Sequence, residues 1–399
     1  MSFIGAFTLA GEPLWQYGDK ERSVGNTEKA GEMTTTAPMR PGPVAVYDID
    51  QDGTQEVIAL TLAADTTATS QWTMADVEMV ALDGQTGKVK CRAVLPELQA
   101  AGAYVGGHLH VPNYVHHRLL IADLRGQGIA RDIVVKLGNE VLALDDQFRL
   151  LWHYENRHYI YGHHAAYIPT VGDVDGDGHD EVLGGQFCLD HDGRVLWERD
   201  LAEHNDSVII DTWGGQPCAI CSGFGHVLDG EGNVLQCLGR DVVPHGQEIR
   251  YGRLLADVPE RQLVIRYNGH TPELMVVRTD GTIHAKFSAS PSPNNTGMEL
   301  VHWHGPEAPQ LIFTPVELRD ATGTLAVAFP DLPPLTPSRL GNQGWYHCIP
   351  VDLYGNGYEQ LLLYDMYADA VHVYGAPEGI EDKPAYRHTP TQYNVRLMD

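Results

Sequence analysis

Histidine residues are concentrated in the segments that lead into predicted inner strands. The chain has 20 histidines among 399 residues, and tyrosine and arginine are interleaved with them. The histidines at these positions are His108, His110, His116, His117, His158, His163, His164, His204, His245 and His347. Because imidazole gains and loses a proton near neutral pH, this distribution indicates acid–base chemistry or metal binding.

One reaction that fits these residue types is β-elimination on a uronic acid sugar. A base removes the C5 proton, a cation neutralises the carboxylate, and an acid protonates the departing O4. Histidine or tyrosine can act as base and acid, and arginine or protonated histidine as the cation. The paired carboxylates of most glycosidases are not evident before the inner strands, apart from Asp206. Zinc binding stays open as another interpretation, because His108 and His110 have plausible ligand spacing.

Two acidic turns have the pattern of a calcium loop. They are Asp48-Ile-Asp-Gln-Asp-Gly-Thr-Gln-Glu56 and Asp173-Val-Asp-Gly-Asp-Gly-His-Asp-Glu181. A degenerate version of the pattern begins at Asp352. Calcium takes six to eight oxygen ligands, which alternate carboxylates on a tight loop can supply. The predicted ligands of structural Ca²⁺ are Asp48, Asp50, Asp52, Glu56, Asp173, Asp175, Asp177 and Glu181. The alternative is that these are hairpin turns stabilised by Asx hydrogen bonds.

Other classes of site have little support in the sequence. The sequence has neither a Gly-x-Ser-x-Gly nucleophile motif nor a Gly-rich phosphate loop. Cys218 and Cys221 form a Cys-x-x-Cys pair inside a predicted strand, where residues three apart face opposite ways. We therefore interpret these two cysteines as core residues.

The elements that position these residues form a repeat. Seven short runs share one skeleton, a strand end, a turn of Asp and Gly, and a second strand. They span 8–15, 82–89, 144–152, 189–197, 228–235, 278–283 and 318–325. After the first, they recur about every 40 to 60 residues, which is the period of four-stranded propeller blades.

We therefore predict an all-β fold, a single seven-bladed β-propeller of four-stranded antiparallel blades. The inner strands are predicted within 43–50, 118–123, 167–173, 207–211, 251–257, 298–302 and 346–352. One domain would cover 1–399, with an N-terminal strand in 5–17 completing the last blade and an irregular tail at 376–399. Closing the ring in this way removes an exposed sheet edge.

Composition limits the partners. The formal net charge of −26 argues against nucleic acid and anionic membranes. The sequence has no run of eighteen apolar residues, so we expect no transmembrane helix. The segment before Glu12 lacks a basic leader, so we expect a cytoplasmic protein, or a secreted one if a leader has been removed. We also expect a monomer.

At the level of motifs the chain resembles the β-propeller polysaccharide lyases that act on rhamnogalacturonan, ulvan and rhamnose–glucuronate polymers. The residues that carry the resemblance are Gly162-His-His-Ala-Ala-Tyr-Ile-Pro-Thr-Val-Gly-Asp-Val-Asp-Gly-Asp-Gly-His-Asp-Glu-Val182. In those enzymes catalysis is assigned to His and Tyr assisted by Arg at the propeller axis, and calcium is often structural. The resemblance implies an acidic oligosaccharide or polysaccharide as substrate.

Carried over, the resemblance gives roles to individual residues. His163 or His164 would be the base or neutraliser, Tyr167 or Tyr251 the acid, and Arg250 the partner of the substrate carboxylate. The full set of catalytic candidates is His163, His164, Tyr167, His204, Arg250 and Tyr251. The candidates for substrate binding are His110, His116, Trp345, Tyr346 and His347.

The interpretation is thus a lyase on glycans that contain rhamnose and uronic acid. A related propeller group hydrolyses rhamnosyl-glucuronate with a lone catalytic histidine, so a glycosidase of the α-L-rhamnosidase type is the first alternative. A propeller that binds a carbohydrate or a protein without catalysis is the second.

Overall fold

The structure is a computed structural model. It describes residues 3–18, 44–62, 77–101, 118–137, 140–156, 159–160, 163–164, 169–292, 295, 297–334, 346–365, 368 and 370–381. Strands dominate these residues, as the Val-, Ile- and Leu-rich runs between Asp and Gly turns predict.

The first half of the chain begins with a hairpin of β1 (Phe3–Phe7) and β2 (Pro13–Gly18). Blade one contains β3 (Val44–Tyr47), β4 (Glu56–Leu62), β5 (Val77–Asp83) and β6 (Val89–Ala93), and the short helix α1 (Pro96–Ala101) follows. Blade two contains β7 (Arg118–Ala122), β8 (Asp132–Leu137), β9 (Glu140–Leu144) and β10 (Leu150–Glu155). A small hairpin of β11 (Tyr159–Ile160) and β12 (His163–His164) comes next. Blade three contains β13 (Thr170–Gly172), β14 (Glu181–Leu183), β15 (Phe187–Leu189) and β16 (Val195–Glu198).

The second half continues the same order. Blade four contains β17 (Val208–Trp213), β18 (Gln216–Cys221), β19 (His226–Leu228) and β20 (Val234–Cys237). Blade five contains β21 (Ile249–Gly252), β22 (Gln262–Arg266), β23 (Glu273–Val277) and β24 (Ile283–Ser288). Blade six contains β25 (Glu299–Val301), β26 (Leu311–Thr314), β27 (Glu317–Arg319) and β28 (Leu325–Ala328). Blade seven contains β29 (His347–Val351), β30 (Gln360–Tyr364) and β31 (Val371–Tyr374), and Pro377–Gly379 forms a 3₁₀ turn.

These seven antiparallel sheets confirm the predicted seven-bladed propeller. Successive strands of each blade pair with one another, and β3, β7, β13, β17, β21, β25 and β29 lie side by side in chain order as the inner strands. Six blades have four strands, while blade seven has three within the described part of the chain.

The seven Asp and Gly turns found in the sequence all lie at one structural position. Six join the third strand of a blade to the fourth, and the seventh joins β1 to β2. Each pairing has a register shift at the turn, as between Cys188 and Leu189 in blade three. The repeat therefore reflects one conserved piece of backbone geometry within the molecule, the bulged outer hairpin of a blade.

The N-terminal hairpin has the geometry of the third and fourth strands of a blade. Trp15 of β2 donates its indole N–H to the Gly84 carbonyl of blade one at 2.9 Å. Trp152 of blade two makes the same kind of bond to the His191 carbonyl of blade three at 2.7 Å. Within the described residues the hairpin strands pair with each other, so closure of blade seven by 5–17 stays a prediction.

The core lies between blades rather than within one central body. Separate apolar clusters fill the spaces between successive blades from one to seven, and a further cluster joins the hairpin to blade one. Along each inner strand, alternate side chains therefore pack against the preceding or the following blade. Cys218 and Cys221 are free and buried, as the core interpretation predicts.

The propeller has two faces, which we name by strand direction. We call the upper face the one at which the first strand of every blade begins. The lower face carries the turns between first and second strands, where the predicted calcium loops lie. Of the segments that lead into inner strands, those at 199–207 and 238–248 are described in full, and they belong to the upper face.

The bulged outer hairpins predict a stability effect that depends on position. Gly193→Ala puts a methyl group 2.8 Å from the Trp152 ring, at a φ of +84°. The left-handed backbone costs about 1–2 kcal/mol of the free energy of unfolding, and overpacking against the ring costs about 1–3 kcal/mol more. Urea unfolding should show this loss of stability.

Gly215→Ala is the matched control for this prediction. Gly215 has a φ of +86°, and a methyl group there meets nothing within 4 Å. Equal loss in the two variants would contradict the packing role of the Trp152 contact.

Candidate functional site

Two histidines and two carboxylates meet on the upper face between blades four and five. Glu203, His204 and Asp206 lie in the segment between β16 and β17, and His245 lies in the segment between β20 and β21. Residues from neighbouring blades thus form one polar cluster, which we call the His204–His245 cluster.

Asp206 links the two imidazoles. Its two carboxylate oxygens lie 3.4 Å from His204 Nε2 and 3.2 Å from His245 Nε2. Glu203 lies on the other side of the rings, 2.6 Å from His204 Nδ1 and 4.0 Å from His245 Nδ1. The ring centroids are 4.9 Å apart. Each histidine therefore lies between two carboxylates.

Two glycines allow the backbones that carry the cluster to approach. The Gly246 N–H donates to the Gly223 carbonyl at 2.8 Å, and a Cβ on Gly246 would lie 2.0 Å from the Ser222 carbonyl oxygen. A Cβ on Gly223 would lie 2.8 Å from Asn205 Oδ1, the atom that accepts the Gly223 N–H. At Gly246 only glycine fits, because the near atoms are backbone, and this close approach holds the His245 segment against the His204 segment.

The cluster favours the charged form of its members. Burial acts against ionisation of Asp206, but hydrogen bonds from His204 and His245 hold the pKa of this carboxyl below its usual value. The hydrogen bond to Asp206 raises the pKa of His245. Burial opposes protonation of His204, yet the bond and charge of Asp206 outweigh it and raise its pKa as well. The imidazolium form of both rings therefore persists to higher pH than in a free histidine.

Access differs between the two rings. The His245 side chain is 32% exposed, whereas that of His204 is 10% exposed. His245 is therefore the member that can reach a ligand, and His204, Asp206 and Glu203 hold it in place and set its charge. Such an arrangement can donate a proton or stabilise a developing negative charge.

Two of the predicted catalytic residues lie elsewhere. Arg250 is buried and its guanidinium contacts the Glu299 carboxylate at 2.7 and 3.2 Å, so we correct its assigned role to an ion pair between blades five and six. Tyr251 faces the opposite side and stacks on Trp213 at 5.5 Å. Burial raises the pKa of Tyr251 to about 12, which does not suit an acid at neutral pH.

Two predicted substrate-binding residues also belong to the core. The Tyr346 hydroxyl donates to the Pro333 carbonyl at 2.9 Å inside the cluster between blades six and seven. His347 is buried and stacks on Tyr364 at 5.0 Å. The reason is the same as for Arg250. We predicted these residues in the segment before the inner strand, but Arg250 and His347 lie in inner strands and Tyr346 lies directly before one.

The other predicted residues cannot be placed at side-chain level. His110, His116, Tyr167 and Trp345 lie outside the described residues. His163 and His164 form β12, which pairs with β11, and only their backbone is described. Their catalytic roles stay predictions.

Sequence reasoning missed most of the His204–His245 cluster. His204 was a catalytic candidate, but Glu203 was not considered and Asp206 and His245 were not assigned a role. A usable signal was the run Glu203-His-Asn-Asp206, which places two carboxylates beside one histidine at the start of blade four.

The Asp173 loop on the lower face fits a cation. One oxygen of the buried Glu181 carboxylate accepts the Val174 N–H at 2.8 Å, and the other has no hydrogen-bond partner among the described residues. Asp173, Asp175 and Glu181 have ligand atoms within 4.8 Å of one another. Burial, together with the charges of Asp175 and Asp177, raises the pKa of Glu181 to about 8. A buried oxygen among further carboxylates is a suitable calcium ligand.

The Asp48 loop already contains a cation from the chain itself. The Lys90 ammonium lies 2.6 Å from Asp50, 2.7 Å from Asp52 and 2.8 Å from Glu56. Glu56 offers its other oxygen to the Ile49 N–H at 3.0 Å, as Glu181 does to Val174. In blade three the position of Lys90 is taken by Leu196, because Val89 and Val195 hold equivalent registers.

The fold is similar to that of solved rhamnogalacturonan lyases. Rhamnogalacturonan lyase YesW aligns with a TM-score of 0.68 at 16% identity, covering 100% of this chain and 70% of that one. A rhamnogalacturonan lyase from Bacillus licheniformis gives 0.68 at 14%, covering 99% and 70%. The exotype rhamnogalacturonan lyase YesX gives 0.64 at 17%, covering 99% and 70%. At these identities the likeness is one of fold.

No protein-family profile matches the chain, and no curated protein matches it in sequence. Among the described residues, no helix has the length and apolar character that crossing a bilayer requires.

The His204–His245 cluster predicts a shift in histidine titration. Asp206→Asn removes the charge that stabilises both imidazolium rings, so the pKa of His204 and of His245 should fall. NMR titration of the imidazole C–H signals would measure this. Asp192→Asn, on the outer turn of blade three, removes a carboxylate that lies outside the cluster and should leave both titrations in place. Unchanged midpoints in the Asp206 variant would refute the proposed charge coupling.

Proposed function

We propose that the protein is a polysaccharide lyase that cleaves a glycan containing rhamnose and uronic acid by β-elimination. The observation that carries the proposal is the His204–His245 cluster, an accessible imidazole held and charged by Asp206 on the upper face. The similarity of fold to three rhamnogalacturonan lyases supports the same reaction class.

The proposed step uses His245 as the acid. A base takes the C5 proton of the uronate, the C5–H electrons form the C4=C5 double bond, and the C4–O4 bond breaks. His245 gives its proton to the departing O4, and Asp206 steadies the imidazolium before this transfer. His163 and His164 remain the candidates for the base.

A hydrolase is the second candidate, because Glu203 and Asp206 bring two carboxylates to one site. Glycosidases of most families use such a pair. Here both carboxylates contact imidazole nitrogens, at 2.6 and 3.2 Å, so they are engaged in holding the histidines. This engagement favours elimination over hydrolysis.

We further propose that the Asp173 loop binds structural calcium and that the Asp48 loop does not. Asp173, Asp175 and Glu181 would hold the ion, and its charge would balance the Glu181 oxygen that has no partner among described residues. In blade one, Asp48, Asp50 and Glu56 also have ligand atoms within 4.8 Å of one another, but Lys90 already supplies that charge, so calcium at Asp48, Asp50, Asp52 and Glu56 is not carried into this proposal.

The lyase proposal predicts that His245→Ala lowers kcat/KM by about 10²- to 10⁴-fold, the usual contribution of an acid or base. The measurement is ultraviolet absorbance of the unsaturated uronate formed from a rhamnose–uronate oligosaccharide. Activity should fall as pH rises through the raised pKa of His245, because the acid must be protonated.

His284→Ala is the control, since this imidazole lies on the outer strand β24 beside Arg278. Free rhamnose without absorbance would identify a hydrolase instead. Neither product, with the oligosaccharide still bound, would indicate a binding protein without catalysis.

The calcium proposal predicts that Ca²⁺ raises the melting temperature and that chelation lowers it. A ligand that binds the folded state at a hundredfold excess over its Kd stabilises by about 2.7 kcal/mol. Glu181→Gln should remove most of this response, as measured by thermal unfolding with and without Ca²⁺.

Lys90→Leu gives the matched variant in blade one, because it copies Leu196. We expect this variant to gain a calcium response that the wild-type Asp48 loop lacks. A calcium response that survives Glu181→Gln would place the ion elsewhere.

A further inference from the structure

A histidine and two carboxylates meet beside the Asp173 loop on the lower face of blade three. Asp177 lies in the turn between β13 and β14, and Asp190 and His191 begin the turn between β15 and β16. One ligand atom from each of these three side chains lies within 4.8 Å of the other two. Two separate turns of one blade thus bring a nitrogen donor and two oxygen donors to the same place.

Each carboxylate has an oxygen on the side of the imidazole. Asp177 accepts the His179 backbone N–H through Oδ1 at 2.8 Å, and its Oδ2 lies 3.9 Å from His191 Nδ1. Asp190 contacts the Arg194 guanidinium through Oδ2. The Oδ1 atom of Asp190 accepts the His191 backbone N–H at 2.8 Å and lies 2.7 Å from His191 Nδ1. A carboxylate oxygen can accept a further contact, so both carboxylates can still bind a ligand from this side.

The nitrogen of this group makes no hydrogen bond to its neighbours. His191 Nδ1 is buried and has no hydrogen-bond partner among the described residues, although Asp190 Oδ1 is 2.7 Å away. At that distance the angle is what excludes a hydrogen bond, so the in-plane direction of Nδ1 passes beside the oxygen. A cation placed on that side would contact both atoms. The His191 side chain is 30% exposed, which gives an ion access from solvent.

Neighbouring groups fix the ring and the backbone of His191. The His179 ring stacks on it, with ring centroids 4.0 Å apart and planes at 25°. The His179 Nδ1–H donates to the Leu124 carbonyl of blade two at 2.9 Å, since a carbonyl oxygen can only accept. The His191 carbonyl accepts the Trp152 indole N–H at 2.7 Å. The imidazole is therefore ordered by the protein itself, which lowers the entropic cost of binding.

We propose that Asp177, Asp190 and His191 form a second cation site, which takes a divalent transition metal ion such as Zn²⁺. Imidazole nitrogen suits zinc and its neighbours, whereas calcium and magnesium prefer oxygen alone. Zinc–ligand bonds of about 2.0–2.2 Å put tetrahedral ligand atoms about 3.4 Å apart. The separations of 2.7 and 3.9 Å from His191 Nδ1 lie on either side of that value. Three protein ligands leave a fourth position for water.

Blade one shows what distinguishes this turn from the other acidic ones. Asp52 and Asp83 hold the positions of Asp177 and Asp190, but Gly84 stands where blade three has His191. Lys90 contacts Asp52 at 2.7 Å, so the chain supplies the cation there. The nitrogen donor thus belongs to blade three, and a metal ion would tie its inner loop to its outer hairpin.

Zinc titration of the full chain in saturating Ca²⁺ tests the site, because calcium keeps the Asp173 loop filled. We expect the wild type to bind one more Zn²⁺ ion per chain than His191→Ala, measured by competition with a chromophoric chelator. Asp177→Asn keeps the Oδ1 acceptor of the His179 N–H and removes a charged ligand. Zinc affinity at this site should fall about tenfold or more in that variant. Both substitutions change turn residues rather than core residues, so both variants should fold.

His153→Ala is the matched control, because this imidazole lies on the outer strand β10 beside one carboxylate, Glu140, at 2.6 Å. It should leave the zinc stoichiometry unchanged. Cobalt(II) in place of zinc gives a second readout. Its visible absorption band should appear in the wild type and in His153→Ala and be missing in His191→Ala.

The outcomes separate this site from the calcium loop. Equal zinc stoichiometry in the wild type and in His191→Ala would overturn the site. Zinc binding that weakens in proportion to the Ca²⁺ concentration would assign the cluster to calcium and overturn the transition-metal assignment. Glu181→Gln should lose the calcium response and keep the zinc ion that depends on His191. This result would support a separate second site even if the calcium proposal failed.

Discussion

Successive blades of this propeller bury their facing sides against each other, and this constraint decides what the inner-strand side chains can do. A residue on an inner strand packs against one adjacent blade or the other, since successive side chains alternate. Arg250 and Tyr251 illustrate the consequence. Arg250 faces blade six and binds Glu299, while Tyr251 faces blade four and stacks on Trp213. Chemistry is left to the segments between blades and to the ends of strands, where burial is incomplete or polar.

A second constraint acts where the first strand of a blade turns into the second. In five blades, a side-chain oxygen of the first residue of the second strand accepts N–H groups of the turn. These residues are Glu56, Asp132, Glu181, Gln262 and Gln360. An amide satisfies the turn without a charge. A carboxylate leaves a buried negative charge, which Lys90 and Arg125 balance in blades one and two. Blade three has Glu181 with Leu196 opposite, and this combination makes its turn the calcium candidate.

The fold was predictable because its signals are local. The turn of Asp and Gly, the bulge and the outer strand lie within about ten residues and recur in six blades and in the N-terminal hairpin, so the period identified the propeller. The exact residue at which each inner strand begins could not be predicted from local sequence. An inner strand predicted to begin at Tyr251 begins at Ile249, and the shift moved Arg250 from the predicted axial pocket into an ion pair between blades.

The candidate site was predictable only in part for the same reason. The acidic pattern of the Asp48 loop is visible in sequence, but Lys90 lies 34 residues after Glu56 and enters the loop through strand pairing. His204 and His245 come from different blades, and their contact depends on the close approach of Gly223 and Gly246. Residue type indicated the chemistry, whereas pairing across blades determined which residues perform it.

The electrostatics of the upper face connect these findings. The His204–His245 cluster has a charge of −2 with neutral rings and zero with both rings protonated, so its carboxylates favour protonation rather than repel it. An acidic ligand that approaches protonated His245 meets a balanced cluster, and deprotonation would restore the negative charge and weaken the approach. The state that can donate a proton to a leaving oxygen is thus also the state that tolerates a uronate nearby. This coincidence favours acid catalysis on an anionic sugar by a protein whose surface is itself acidic.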